Sequence, residues 1–187
     1  MSPFEFVSVF FAVVLGLAVT HLMGSIGELI EVRSRVRGYW VLNLWVLNVL
    51  LLQTQSWWGT WGLREREWNV LAYFLVVVYF AAVYLATVLL LPPVREGDEV
   101  IDLRLHYYQA RRAFFAALAL AAVLAALMNV ALFGSAALSV VTLIPLGFVL
   151  LAATGAWTAS PVYHAAYAIL FGALYALFMI ADGVRIG

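Results

Sequence analysis

The chain has 187 residues, 66% of them hydrophobic and 11% charged, with ten arginines against ten Asp and Glu and neither lysine nor cysteine. A soluble domain carries roughly 25% charged residues, so this composition excludes a water-soluble globule and requires a bilayer as solvent. The balanced charge excludes a nucleic-acid face, the absence of Cys excludes disulfides, thiolate metal sites and cysteine nucleophiles, and the absence of Lys excludes Schiff-base chemistry.

About twenty apolar residues at 1.5 Å each cross the hydrocarbon core. The first such run, residues 4–31, has no basic segment before it and no small-residue cleavage site, and it reads as a membrane span rather than a cleaved signal. Arg33, Arg35 and Arg37 separate it from a second, 39–61. Arg64, Glu65, Arg66 and Glu67 precede the third, 69–91, which Pro92 and Pro93 end. In the longer connection that follows, Asp98 is the expected N-cap, with Glu99 and Asp102 in the first turn. That predicts a cytoplasmic helical extension over 98–111 running into a fourth span, 112–133. Turns at Gly134-Ser135 and Ser160-Pro161 set off the fifth and sixth spans, 136–157 and 162–183, and Pro145 falls midway along the fifth. The expected fold is therefore a single all-α polytopic transmembrane bundle of about six spans with short loops. An odd count requires one misread hairpin, of which Gly134-Ser135 is the weakest.

Orientation follows from arginine. Seven lie in the first and third connections (Arg33, Arg35, Arg37, Arg95, Arg104, Arg111 and Arg112) and three on the opposite side (Arg64, Arg66 and Arg185). The positive-inside rule then makes the seven-arginine side cytoplasmic and both termini periplasmic. The prominence of Ala, Val, Leu, Gly and Arg points to a bacterial inner membrane. Trp57, Trp58, Trp61 and Trp68 are expected at the outer interface, Trp40 and Trp157 at the inner one.

Three helices carry small residues at i, i+4 spacing: Ala12, Gly16, Thr20 and Gly24; Ala113, Ala117, Ala121 and Ala125; Ala168, Gly172 and Ala176. Such ridges are expected to be packing faces within the bundle or, alternatively, a homo-oligomer interface. One further step along each reaches a polar residue: Glu28, Asn129 and, backwards, His164. A polar trail follows, with Glu28, His164 and Asn43 at the inner end, His21 and Asn48 near the middle, and Gln53, Gln55 and Asn129 outward, Asp182 lying at the outer mouth. Glu28 and His164 fall at one depth and are expected to meet in the interior, supported by Asn43.

No P-loop, dinucleotide fingerprint or Gly-x-Ser-Gly protease motif is present. His21 and His164 differ in depth by two helical turns, about 10 Å, which is wrong for haem. No catalytic residue, metal or cofactor is expected. The residues point first to a small channel or transporter for protons, ions or a small solute, with His21 and Glu28 as its ionisable elements and His164 and Asn48 as their partners. The alternative is a non-catalytic scaffold, sensor or accessory subunit that binds another membrane protein. Beyond the lipid bilayer, the expected partner is a second copy or another membrane protein.

Overall fold

The computed structural model describes residues 3–95, 99–132, 134 and 139–183. Six α-helices account for nearly all of it: α1 (Pro3–Glu31), α2 (Trp40–Thr60), α3 (Val70–Val88), α4 (Leu103–Ala131), α5 (Val140–Trp157) and α6 (Pro161–Gly183). Four of them (α1, α3, α4 and α6) contain stretches long and apolar enough to cross a membrane. The protein is thus an all-helical membrane protein with four such helices. In α2, Asn43, Asn48, Gln53 and Gln55 dilute an otherwise apolar run, and the apolar stretch of α5 is the shorter Thr142–Trp157.

Two residues in each of the α1–α2 and α3–α4 connections are extended. β1 (Val36–Arg37) pairs in parallel with β2 (Ile101–Asp102), Val36 opposite Ile101 and Arg37 opposite Asp102. This bridge corrects the start expected for α4. Asp98 lies outside the described residues, and Glu99 and Asp102 precede the helix instead of forming its first turn. Extended pairing at 101–102 is incompatible with helical dihedrals, so Asp102 becomes the N-cap, its carboxylate accepting from the Leu105 N–H at 2.9 Å. Asn69 does the same for α3, accepting from Ala72 N–H at 2.8 Å.

The bridge also brings the α1–α2 and α3–α4 connections to one end of the bundle. The α5–α6 turn joins them there, since the Arg112 guanidinium lies 5.6 Å from the Trp157 ring centroid.

Helix α4 pairs most extensively with α5 and then with α3, α1 leans on α3, and α2 packs along α6. The centre is Trp45 of α2, whose ring sits 5.2 and 5.5 Å from Phe114 and Phe115 of α4, and 5.2 Å from both Tyr167 and Phe171 of α6. A second apolar cluster fastens α1 to α3 through Phe11 and Phe80, 4.7 Å apart. Because α5 begins at Val140, Pro145 falls in its second turn rather than midway, and α5 continues unbroken beyond it to Trp157.

The three small-residue ridges have different fates. Gly172 of α6 lies so near α2 that a Cβ there would stand 2.5 Å from Asn48 Oδ1. On α4, Ala117 and Ala121 are buried, and the ring of Phe115 comes within 3.2 Å of where a Cβ of Gly155 would be. The α1 ridge is a correction to the expected internal packing: Ala12, Gly16, Thr20 and Gly24 are all exposed, with nothing within 4 Å of a Cβ at Gly16 or Gly24. Helix α1 buries Val7, Phe11, Leu15, Ala18, Leu22, Ser25 and Leu29, at the spacing of one helical face, and that face is the opposite one.

Candidate functional site

The polar side chains expected along one trail divide into three groups. The first is sealed between helices. Asn48, fully buried, donates from Nδ2 to the Ala168 carbonyl at 2.8 Å, and Gln53 donates from Nε2 to Thr87 Oγ1 at 2.7 Å. Thr87 in turn donates to the Val83 carbonyl at 2.9 Å, and Ser56 Oγ lies 2.7 Å from the Tyr79 hydroxyl. Each of these α2 residues falls on the buried stripe that also holds Trp45, Val49 and Leu52. They therefore tie α2 to α6 and α3, which is what a polar side chain in a low-dielectric bundle requires.

His164 belongs to the same group, and the structure is specific about its chemistry. It is fully buried, with Nε2 3.1 Å from the Thr158 carbonyl and Nδ1 2.8 Å from the Tyr107 hydroxyl. A carbonyl only accepts, so Nε2 carries the proton and Nδ1 accepts from Tyr107. The Phe115 ring stacks on the imidazole at 5.5 Å, and the rings of Tyr107, Tyr108 and Tyr163 stand perpendicular to it. A neutral imidazole held at both nitrogens clamps α4, α6 and the α5–α6 turn together. Beside it, the Tyr39 hydroxyl sits 3.2 Å from that of Tyr108.

The second group is on the outside. Glu28 is exposed, His21 is half-buried at the edge of the same outward arc of α1, and Asn43 is exposed on α2. Glu28 and His164 therefore do not meet: one projects away from the bundle while the other has both ring nitrogens occupied on α4 and the α5–α6 turn. The physical reason is the rotation of α1. Leu22, Ser25 and Leu29 fill its contact with the bundle, which turns Glu28 outward by about a third of a turn beyond that stripe.

The third group lines a cavity of about 430 Å³ at the end opposite the arginine-rich connections, where Gln55, Ser56 and Asn129 lie among Trp58, Tyr79 and Tyr175. Gln55 and Asn129 thus come together, while His21, Glu28, Asn48 and His164 do not line it. Asp182 falls in the last turn of α6, and its side chain lies outside the described residues. No cluster of three metal-ligating side chains occurs among the described residues.

The sequence singles out Tyr107 only as a residue of the cytoplasmic extension and Thr87 not at all, so it foresees neither as the partner of His164 or of Gln53. Aromatic and hydroxyl residues are common in membrane helices, and only the tertiary fold says which one faces a given polar group. No family model, curated protein or solved structure matches the chain.

Proposed function

We propose that this protein is a non-catalytic assembly component of a bacterial inner membrane, which crosses it six times and uses α1 to dock on another membrane-embedded helix. The observation that supports this is the outward face of α1, where Gly16, Gly24 and Gly27 leave open backbone beside His21 and Glu28. A carboxylate and an imidazole within a span are costly against hydrocarbon, and small residues permit the close helix approach that would cover them. The interior groups Asn48, Gln53 and His164, by contrast, each already have a hydrogen-bond partner within the bundle.

Transport of protons, ions or a small solute is the second reading. It would require the passage to lie between copies, walled by α1, because Glu28 and Asn43 are exposed while Asn48 and His164 are enclosed.

The chain has no cysteine, so a lone Gly16→Cys reports on this face directly. Oxidation in native membranes is expected to give a disulfide-linked dimer or a defined adduct with one membrane protein. A chain that stays monomeric and co-purifies with nothing would mean that α1 faces lipid. Purified protein in liposomes is expected to leave proton and ion gradients intact, and a flux lost in Glu28→Gln would instead favour transport. The proposed topology puts both termini in the periplasm, so a reporter fused after Gly187 should be active there.

A further inference from the structure

Arg104 and Arg111, at i and i+7, share one side of α4, and Arg112 at i+8 stands about 100° round from Arg111, so the three span an arc of the helix about 12 Å long. The sequence alone offers Tyr107, Tyr108, Arg111 and Arg112 of the extension over 98–112 only as a contact for a partner or for anionic headgroups in general. The structure distinguishes the three arginines in two ways. Each is held by an aromatic ring or the backbone: Arg104 lies 5.9 and 6.0 Å from the ring centroids of Tyr39 and Tyr108, Arg112 lies 5.6 Å from that of Trp157, and Arg111 donates through Nη1 to the Tyr108 carbonyl. None of the three forms an ion pair with a carboxylate among the described residues, and the nearest in sequence, Asp102, caps α4. Arg111 also encloses its Nε without an acceptor.

Guanidinium groups orient on aromatic faces without losing their charge, and their planar donor forks match the oxygens of a phosphate. The depth of this arc is set by its apolar neighbours. Trp157, against which Arg112 stacks, and nearby Val162 are each 78% exposed. A tryptophan so exposed beside a cation belongs at the lipid–water interface, the level at which lipid phosphates lie. Water alone would leave Val162 uncovered, and hydrocarbon alone would leave three cations without counter-charge.

We infer that the Arg104–Arg111–Arg112 arc of α4 is a binding site for the phosphodiester headgroup of an anionic phospholipid, whose acyl chains run down past Trp157 and Val162. The site is independent of α1 and of the assembly it is proposed to make. The β1–β2 bridge sets Tyr39 and the start of α4 side by side, which positions Arg104.

The test uses the full chain in a neutral detergent, with retained lipid counted by native mass spectrometry after addition of phosphatidylglycerol or phosphatidylcholine of matched chains. The wild-type protein should retain phosphatidylglycerol preferentially. Each arginine removed from such a surface lowers affinity roughly fivefold, so R104Q/R112Q should lose the preference. R33Q/R37Q, which removes the same charge from the same end, should keep it. Equal retention of the two lipids by the wild type would overturn the site, as would equal loss in both double variants, which would reduce it to unspecific attraction. Millimolar inorganic phosphate that displaces phosphatidylglycerol and raises thermal stability as much would show a free-anion site and overturn the lipid assignment. The wild-type comparison stands on its own if R104Q/R112Q fails to fold.

Discussion

The hydroxyl of Tyr107 on α4 donates to Nδ1 of His164 on α6 across 2.8 Å of the bundle's interior, while Nε2 of the same ring donates to Thr158. The carbonyl places the proton on Nε2, and in the neutral ring Nδ1 then accepts from Tyr107, so the histidine is a two-sided clamp. Tyr107→Phe leaves Nδ1 buried without a donor, and a stranded acceptor costs about 1 to 3 kcal/mol. Thermal unfolding in detergent should register that loss. His164→Leu in the Tyr107→Phe background should add less than it does alone, because the orphan is removed with its partner. Strict additivity of the two would mean that the pair is not coupled.

Gly172 and Gly16 should behave oppositely, although both belong to i, i+4 small-residue ridges. A methyl at Gly172 would be driven into Asn48 Oδ1, and overpacking of this kind costs about 1 to 3 kcal/mol. Gly172→Ala is therefore expected to lower the melting temperature of the purified chain, with partial recovery in the Asn48→Ala background. Gly16→Leu meets open space and should leave that temperature unchanged, while weakening association measured in membranes. A large stability loss in Gly16→Leu would place the α1 ridge inside the bundle after all.

Gln53 and Thr87 form the polar stitch between α2 and α3. Interhelical hydrogen bonds in membranes average about 0.6 kcal/mol, with a maximum near 1.7. Thr87→Val should exceed that average, because it also strands the Gln53 amide, whose Oε1 is already enclosed without a donor. The double change Gln53→Leu with Thr87→Val is expected to be milder than Thr87→Val alone. The reverse order of melting temperatures would count against a buried stitch.

Asp102 caps α4 directly beside the β1–β2 bridge. Loss of a capping carboxylate typically destabilises by about 0.5 to 2 kcal/mol. Asp102→Ala should therefore increase amide hydrogen exchange in the first turn of α4, with Asp102→Asn or Asp102→Ser restoring most of the protection. Protection unchanged in Asp102→Ala would show that the bridge alone starts the helix.

What the residues determined by themselves is everything that depends on the local solvent of the chain. Apolar runs near twenty residues, broken by arginine clusters and Pro92-Pro93, place the six helices to within a few residues, apart from the start of α4 and of α5, because an apolar segment in lipid must satisfy its own backbone as helix. The same rule makes Asn48, Gln53 and His164 legible as groups that cannot face hydrocarbon. The rotation of each helix was decided only by the tertiary structure. In a membrane both the lipid-facing and the bundle-facing sides are apolar, so α1 carries too little amphipathic signal to say that Leu22 and Leu29 turn inward and Glu28 outward. For the same reason the partners across helices (Tyr107 for His164, Thr87 for Gln53, Ala168 for Asn48) were not legible. They are set by which side chains fit around Trp45 at the centre, and packing of that kind has no period in the sequence.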